Sequence, residues 1–386
     1  MGKPIIKILT GQRRIGKSCI LQQLIKIVLE QDTTANVLYI NKELKEFRDI
    51  KTDDQLYDVI KGQLKDNRSN SVFIDEIQEI PLFQNCLRSL LAENCCDIYC
   101  TGSNANMLSG ELATLLAGRY MEFTIHSLSY GEFLIFHDLE DDNSSLQKYF
   151  RIGGMPYLIH LQADEALCFE YLRNLYSTIL LKDVITRKQI RNVDFMERLV
   201  AFLADNTGSL FSATNISKYL KSQRQQLPTQ MVIDYSAALE DAYFIHKVLR
   251  ADIQGLKIFE IGEKYYFEDL GIRNAIRGYD ALTEIQKWME NLVYMQLIRM
   301  GYTLYVGKTD HLEIDFVATK LQERIYVQVA FRLELASTKN RELASLLKVK
   351  DNFSKYIVTL DEFAIGINEN GIQIVHLRDF LLREIL

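Results

Sequence analysis

A loop that could bind phosphate lies near the start of the sequence. Residues 11–18 read GQRRIGKS, which fits the pattern G-x-x-x-x-G-K-[ST] at every fixed position, with an apolar run before it and a helical pattern after it. Such a loop points backbone N–H groups at phosphate oxygens and needs glycine where a Cβ would collide. Lys17 would reach the β- and γ-phosphates of a nucleotide, and Ser18 would bind Mg²⁺.

Other residues of this loop are candidates for contact with the same nucleotide, namely Gly11, Arg14, Gly16 and Cys19. The two glycines are fixed positions of the pattern. Arg14 supplies a positive charge that would pair with an acid or with phosphate, and Cys19 follows Ser18 in the first turn of the next helix. The N-terminal end of a helix attracts anions because its N–H groups point toward them.

A second stretch, VFIDEI, would place two acids beside that loop. Its apolar residues predict a buried strand that ends at Asp75 and Glu76. Asp75 would bind Mg²⁺ through water, and Glu76 would polarise the attacking water molecule. An acid next to the metal ligand favours a hydrolytic site over a GTP switch, in which a distant glutamine orients the water.

Three more residues could contribute to the same site. The apolar run DIYC leads into polar residues that include Ser103 and Asn104, either of which could hydrogen-bond the γ-phosphate or the water. An ordinary capped turn is the alternative interpretation. Arg119 could act as a finger on the phosphate of a neighbouring subunit, which requires an oligomer, and a surface salt bridge is the alternative for it.

Short apolar runs alternate with helical patterns from residue 1 to about 126, and they predict the framework that positions these residues. The predicted strands are Ile5–Leu9, Val37–Ile40, Val72–Ile74, Asp97–Cys100 and Tyr120–Ile125, with helices that include Lys17–Glu30 and Asp53–Lys65. That alternation predicts a parallel sheet with helices on both faces. In such a sheet the residues that follow each strand meet at one edge.

Three segments follow, and we place their boundaries at 127–190, 191–275 and 276–386. The first is helical with a break at GGMP, because glycine and proline interrupt helices. The second contains three helical stretches and then a hairpin that looks like the wing of a winged helix. The third opens with the helix EIQKWMENLVYMQLIRMG and continues with predicted strands.

Composition narrows the functional classes. The 386 residues carry 45 basic and 51 acidic side chains, and the net charge of −6 argues against a surface that binds nucleic acid everywhere. A local basic patch is still compatible with it. The six cysteines form no C-x-x-C pair, which favours buried reduced thiols over a zinc site. Because no signal peptide and no run of about 18 apolar residues occurs, we expect a cytoplasmic protein with no membrane partner.

Several stretches together resemble a group of prokaryotic AAA-type ATPases that couple an ATPase core to a C-terminal domain of unknown function. They include ILTGQRRIGKS, FIDEIQEI, TGSNANML, AGRYMEFTIHSLSYGEFL, GGMP, YSTILLKDVITR, EIDFVA and LDEF. The resemblance covers nearly the whole chain. It implies an α/β fold with a P-loop NTPase parallel sheet, a helical lid, a winged-helix domain and a C-terminal restriction-endonuclease-like α/β domain. It also implies ATP and Mg²⁺ as cofactors.

The start of the chain departs from this group. Its members usually carry a further segment before the first strand, which helps to hold the adenine, whereas this sequence reaches its first strand almost at Met1. We therefore expect either that other residues hold the base or that nucleotide binding is weakened.

The winged-helix segment offers a candidate DNA site, because such domains normally read DNA with their third helix. Here that helix contains three acids and no Lys or Arg, so it would repel phosphates. The acids are Asp234, Glu240 and Asp241, and basic residues precede them at Lys218, Lys221 and Arg224. DNA contact through that basic segment is one interpretation, and a protein-packing module with a solvated basic edge is the other.

The last segment has the outline of a metal-dependent nuclease site that has lost part of its chemistry. Glu290 on the opening helix and Asp315 on a strand could lie near each other as Mg²⁺ ligands. The next strand carries Gln328 and Ala330 where a carboxylate and an ammonium would be needed, so we expect no nuclease activity. Asp315 would then be a leftover ligand or the partner of a cation such as Lys308.

The predicted function is that of an ATP-binding protein of the AAA type, with residues 1–126 as its ATPase core. It would hydrolyse ATP slowly with Mg²⁺ and thereby control its C-terminal domains. The alternative is a nucleotide-bound module that hardly turns over and recruits DNA or a protein partner. An oligomer is compatible with both.

Overall fold

The computed structural model describes residues 5–108, 116, 118–162, 164–222, 228–253, 262–309, 312–333 and 343–385. The chain forms two compact units. The first contains residues 1–126 and 241–243, and the second contains residues 127–240 and 244–386. No helix in the described part of the chain is long and apolar enough to cross a membrane.

The first unit is built on a five-stranded parallel sheet with helices between the strands. In chain order its elements are β1 (Ile6–Thr10), α1 (Lys17–Gln31), β2 (Asn36–Asn41), α2 (Asp53–Gln63), β3 (Asn70–Asp75), α3 (Phe83–Glu93), β4 (Asp97–Gly102) and β5 (Tyr120–Thr124). The strand order is β2-β3-β4-β1-β5. Because β1 pairs with β4 and β5 rather than with β2, the order of strands reverses there, and ligands of open α/β sheets bind at such points.

Both faces of this sheet are covered, which explains why its strands are apolar runs in the sequence. Ile6 and Ile8 belong to an apolar cluster that also contains residues of α2 and α3. Leu9 and Phe73 belong to a second cluster with Leu21 of α1. Successive residues of a strand point to opposite faces, so the two clusters lie on opposite sides of the sheet. The predicted α/β fold with a parallel sheet is confirmed, with small shifts at the ends of the strands.

The second unit combines helices with a mixed sheet. Its helices are α4 (Tyr130–His137), α5 (Asn143–Ile152), α6 (Glu165–Thr178), α7 (Val193–Asp205), α8 (Ala213–Ser222), α9 (Thr229–Asp241), α10 (Leu270–Arg277), α11 (Ala281–Arg299) and α12 (Leu377–Leu381). A π-helical segment, Ile179–Thr186, follows α6. The strands are β6 (Leu210–Phe211), β7 (Ile245–Asp252), β8 (Glu263–Phe267), β9 (Thr303–Thr309), β10 (Leu312–Lys320), β11 (Glu323–Ala330), β12 (Ser354–Thr359), β13 (Gly366–Ile367) and β14 (Gln373–His376).

One nine-stranded sheet runs through this unit in the order β13-β14-β12-β11-β10-β9-β7-β8-β6. Strands β7 and β8 are antiparallel, as in the predicted hairpin, and β7 also pairs in parallel with β9. The part of the predicted hairpin at 254–261 lies outside the described residues. Strands from the predicted winged-helix and nuclease-like segments thus share a sheet across residue 275. The boundaries at 190 and 275 stay predictions.

The GGMP stretch forms a tight contact in addition to ending a helix. Gly153 follows α5 with φ 70, and a Cβ there would lie 2.4 Å from Asp269 Oδ1. The Asp269 carboxylate accepts the N–H of Gly154 at 2.7 Å and that of Ile272 at 3.0 Å. One buried acid therefore connects this turn to the start of α10, and burial raises its pKa to about 6.

Candidate nucleotide-binding site

The loop between β1 and α1 uses backbone conformations that favour glycine. Gly11 has φ 137, and a Cβ there would lie 2.2 Å from the carbonyl oxygen of Ile125. Gly16 has φ 101 immediately before α1. Residues with a Cβ rarely adopt such positive φ values, so both fixed glycines of the sequence pattern have a structural reason to be there.

Lys17 begins α1 and folds back over the loop. It is 4% exposed, and its ammonium donates hydrogen bonds to the backbone carbonyl oxygens of Gly11 at 2.8 Å and Gln12 at 2.7 Å. The next two residues, Ser18 and Cys19, are exposed. The ammonium therefore lies within the loop beside accessible groups, and phosphate oxygens could replace the carbonyl oxygens as its acceptors.

No side chain caps the start of α1, and no acid lies in its first turn. The first N–H groups of a helix have no partner within the helix, and they form the positive end of its dipole. In α2 and α4, the side chains of Thr52 and Ser129 accept such N–H groups. At α1 a phosphate group would satisfy the same need, which fits the predicted role of this helix.

Asp75 ends β3 and is held from both neighbouring strands. Its carboxylate accepts hydrogen bonds from the hydroxyl of Thr101 on β4 at 2.5 Å and from the hydroxyl of Tyr39 on β2 at 3.1 Å. The side-chain amide of Asn41 is 3.4 Å away. Burial and then the charge of Asp75 raise the pKa of Tyr39, which keeps that phenol a hydrogen-bond donor. These contacts fix the orientation of the carboxylate.

Glu76 follows in the left-handed conformation, with φ 57 and ψ 49. Such a backbone is uncommon for a residue with a Cβ and is concentrated at functional sites. The N–H of Glu76 donates to the hydroxyl of Thr101 at 2.9 Å. Its carboxylate accepts from the hydroxyl of Ser103 at 3.4 Å and from the side-chain amide of Gln78. The structure thus brings Glu76 and Ser103 together.

Gln78 is a member of this site that sequence reasoning missed. Its amide nitrogen contacts the Glu76 carboxylate and lies 3.3 Å from the hydroxyl of Ser103. The left-handed backbone at Glu76 starts a turn that brings residue 78 back beside it. In the sequence, Gln78 stands two residues after the acid pair, Asp75 and Glu76, and this closeness could have indicated the contact.

The remaining candidates differ in position and in exposure. Arg119 lies at the end of β1 opposite the loop, since its carbonyl oxygen accepts the N–H of Ile6 at 3.0 Å. Asn104 is half-buried, and both Arg14 and Arg119 are exposed. Arg13 of the same loop is buried, and its guanidinium lies 3.2 Å from a carboxylate oxygen of Glu43. The roles assigned to Arg14, Asn104 and Arg119 stay predictions.

The loop and the acid pair share one edge of the sheet. Strand β4 lies between β1 and β3, so their ends are separated by two strand spacings, roughly 10 Å. The hydroxyl of Ser18 and the carboxylate of Asp75 offer the oxygen ligands that Mg²⁺ prefers. The uncapped helix, the ammonium of Lys17 and these two oxygen donors fit a nucleotide phosphate chain with its magnesium ion.

The predicted nuclease-like residues lie in the second unit and are buried. Glu290 and Asp315 both lie against the ammonium of Lys264, at 3.7 and 3.6 Å. Sequence reasoning named Lys308 as an example of a cation for Asp315 and missed Lys264. Nothing in the sequence near Asp315 indicated Lys264, because the two residues are on β8 and β10, which are separated in the sheet by β7 and β9.

The two replaced positions of that region have structural roles. Gln328 accepts the backbone N–H of Asp315 at 3.2 Å through its side-chain oxygen, a contact between β11 and β10. Ala330 is 3% exposed and belongs to an apolar cluster. The expected loss of nuclease activity stays a prediction.

The basic segment considered for DNA lies before α9. Lys218 and Lys221 are on α8, and Arg224 lies outside the described residues. On α9 the carboxylate of Asp234 accepts a hydrogen bond from the side chain of Gln230 at 2.8 Å. DNA binding through this segment stays a prediction.

Two known families match this chain in sequence. Residues 3–134 match the family described as an AAA domain, and residues 143–283 match a domain of unknown function. The first match contains both the phosphate loop, residues 11–18, and the acid pair. The second lies in the middle of the chain, so the domain of unknown function expected at the C-terminal end stays a prediction.

Relatives of this chain occur in bacteria and archaea. An uncharacterized protein of Haemophilus influenzae is 34% identical over 98% of this chain and 94% of its own length. The uncharacterized protein MJ1544 of Methanocaldococcus jannaschii is 27% identical over 92% of this chain and 82% of its own length. Among solved structures, the ORC1 protein of Aeropyrum pernix in complex with DNA shares 11% identity, covers 71% of this chain and 86% of its own, and has a TM-score of 0.30.

Proposed function

This chain belongs to a family of AAA-domain proteins that includes its Haemophilus influenzae relative, and we propose that it hydrolyses ATP with Mg²⁺ between the phosphate loop and the acid pair. The AAA domain makes it an ATP-binding protein of the AAA type. What we propose beyond this is the hydrolysis of ATP, the role of each residue in it, and the control of the second unit by hydrolysis.

One observation carries the proposal: the uncapped start of α1, with the buried ammonium of Lys17, lies on the same sheet edge as Asp75 and Glu76. The first turn of α1, which includes Ser18 and Cys19, would donate its N–H groups to the phosphates. Lys17 would exchange its carbonyl contacts for the β- and γ-phosphate oxygens, which are stronger acceptors because they are charged.

Ser18 and Asp75 would hold the metal ion. Magnesium, when bound, neutralises negative charge on the β- and γ-phosphates. The hydroxyl of Ser18 is exposed and free to turn toward a ligand, whereas Asp75 is fixed by Thr101 and Tyr39. A contact from Asp75 through water is compatible with Mg²⁺, because the ion keeps several of its water molecules when bound.

Glu76 would orient the attacking water. Gln78 and Ser103 both donate to the same carboxylate oxygen of Glu76, so they restrain the acid while its other oxygen can accept a hydrogen bond from water. This restraint on the acid would make turnover slow in the arrangement seen here. Ser103 and Asn104, which follow β4, would form hydrogen bonds to the γ-phosphate. Arg119 would contact the phosphate only of a neighbouring subunit.

The test is ATP hydrolysis by the wild type and by Glu76→Gln, with ATP binding measured on both proteins. We expect Glu76→Gln to bind ATP normally. Its rate of hydrolysis should fall by about 100-fold or more, because an amide cannot accept a proton from the attacking water. Glu79→Gln, a change of an exposed acid three residues away, is the matched control and should keep activity. Equal, background-level phosphate release from wild type and Glu76→Gln would rule out the hydrolytic proposal.

A second candidate function is a nucleotide-bound module that recruits DNA or protein without turnover. The hydrogen bonds that Glu76 accepts from Gln78 and Ser103 favour it, because they restrain the acid that would have to orient the water. Tight ATP binding without phosphate release would support it. Salt-dependent DNA binding that weakens in Lys218→Ala/Lys221→Ala would identify DNA as the partner, and binding insensitive to those changes would not.

A further inference from the structure

The second unit contains a cluster in which one ammonium lies among three carboxylates. Lys264 is on β8, Glu290 is on α11, and Glu313 and Asp315 are on β10. The nitrogen of Lys264 lies 2.8 Å from Glu313, 3.6 Å from Asp315 and 3.7 Å from Glu290, measured to the nearest carboxylate oxygen of each. We call these four residues the Lys264 cluster.

The Lys264 cluster is largely shielded from water. Lys264 is 4% exposed, Asp315 7% and Glu290 9%, whereas the Glu313 side chain is partly exposed. Charges in such surroundings interact more strongly than at the surface. Leaving any of them without a partner would be costly.

The carboxylates outnumber the cations, and burial together with that imbalance shifts the pKa values. Arg250 is the second cation here, 3.6 Å from Glu313. Burial and then the charge of Asp315 raise the pKa of Glu290 to about 8. Burial lowers the pKa of Lys264, but the surrounding acidic groups outweigh that effect and hold it well above its ordinary value. The ammonium contacts all three acids and is therefore central to the cluster.

Neighbouring groups fix the acids around the ammonium. One carboxylate oxygen of Asp315 accepts the backbone N–H of Val329 at 2.9 Å, while the other faces Lys264. The pairing of β10 with β9 shifts between Ile314 and Val317, an irregularity located at Asp315. The hydroxyl of Tyr266 contacts Glu290 at 3.4 Å. Asp315 and Glu290 are thus oriented by contacts that do not depend on Lys264.

Carboxylate oxygens that converge from a helix and a strand are the ligands that hard divalent cations take. The distances of 2.8–3.7 Å found here are those of an ammonium, which is larger than Mg²⁺ or Mn²⁺ and carries a single charge. The buried ammonium is the direct evidence that the three acids hold a cation. It also occupies the position at which they would hold a different one.

We propose that Lys264 is the resident cation of this cluster and keeps divalent metal out of it, so that removing the ammonium turns the three acids into a divalent-cation site. The side chain comes from the hairpin strand β8 and substitutes for an ion. This inference concerns the second unit alone and does not rest on ATP hydrolysis.

The test compares wild type, Lys264→Met and Lys247→Met by counting bound Mn²⁺ with electron paramagnetic resonance of the free ion. Methionine keeps the apolar stem of the lysine side chain and removes the charge. Lys247 is on neighbouring β7, is partly exposed and lies 3.9 Å from Glu263, which makes it the matched control. Mn²⁺ is suited to the assay because carboxylate oxygens bind it.

We expect Lys264→Met to gain one Mn²⁺ site relative to wild type and Lys247→Met, at least about tenfold tighter than any binding they show. The double variant Lys264→Met/Asp315→Asn should lose that site. Ions held elsewhere, including at the phosphate loop, contribute equally to all these proteins and cancel. No gain in Lys264→Met, or wild-type binding that Asp315→Asn abolishes, would overturn the proposal.

Loss of folding in Lys264→Met would not leave the proposal undecided. If this variant unfolds without metal, Mn²⁺ should restore its folding, because an ion that binds the folded state stabilises it. It should not restore folding in Lys264→Met/Asp315→Asn. Failure of millimolar Mn²⁺ to distinguish the two variants would count against a cation site in these acids.

Discussion

Two buried lysine side chains, one in each unit, lie in different surroundings. Lys17 and Lys264 are each 4% exposed. The ammonium of Lys17 contacts backbone carbonyl oxygens of a loop, beside the exposed Ser18. The ammonium of Lys264 contacts carboxylates instead, and Glu313 is the nearest of them.

The difference shows how surroundings decide what a buried charge does. Carbonyl oxygens are neutral acceptors, so a charged phosphate can displace them from an ammonium. Carboxylates already neutralise the ammonium they contact, and removing one partner leaves buried charge uncompensated. We therefore propose ligand binding for Lys17 and a role in the stability of the second unit for Lys264.

The largest expected effect is on the Lys264 side of this comparison. Without divalent metal, Lys264→Met should lower the free energy of unfolding by about 3–5 kcal/mol, because it leaves three acids around an empty centre. Lys247→Met should change it by less than about 1 kcal/mol. Urea unfolding followed by circular dichroism measures both values, and equal losses would remove the distinction between a buried and a partly exposed lysine.

A second buried acid, Asp269, extends the comparison through the pH dependence of stability. Asp269 accepts N–H groups of Gly154 and Ile272, and burial raises its pKa to about 6. Between about pH 4 and pH 6 the folded state retains a proton that the unfolded state releases. Stability should therefore fall as pH rises through this window, by at most about 1.4 kcal/mol per pH unit.

The measurement for Asp269 is urea unfolding at several pH values between 4 and 7, for wild type and for Asp269→Asn. The variant should be less stable but should lack this contribution to the slope, because its side chain does not titrate. If both proteins show the same slope over that window, Asp269 does not carry a raised pKa.

The phosphate loop and the acid pair could be predicted from the sequence because each is local. Gly11, Gly16 and Lys17 are fixed by their spacing, and Asp75 follows directly from the apolar run before it. The parallel sheet followed from the alternation of apolar runs and helical patterns. In each case, the residues that determine the feature are neighbours in the chain.

The features that could not be predicted depend on contacts between distant residues. Lys264 meets Asp315 only because a long side chain on β8 reaches acids on other elements, and no spacing in the sequence records that meeting. The shared sheet that joins β7 to β9 has the same origin. Gln78 is only two residues from Glu76 in the sequence. Their contact nevertheless depends on the left-handed backbone of Glu76, which is not expected for a residue with a Cβ.

The smallest expected effect concerns the acid next to the Lys17 site. Gln78→Ala should raise the rate of ATP hydrolysis by about threefold, because it frees the Glu76 carboxylate from one hydrogen bond of modest net strength. Steady-state phosphate release at saturating ATP measures this, with Gln84→Ala, a buried glutamine on α3, as the control. A decrease in rate would mean that Gln78 positions Glu76 for catalysis instead of holding it back.

The most direct test of the assignment of the two lysines is the shift in thermal unfolding caused by ATP and Mg²⁺ in wild type, Lys17→Ala and Lys264→Met. ATP at about 100 times its dissociation constant should stabilise the first unit by about 2.7 kcal/mol in wild type and in Lys264→Met. Lys17→Ala should show almost no shift at the same concentration while keeping its stability without ATP. A full shift in Lys17→Ala, or its loss in a folded Lys264→Met, would contradict the account.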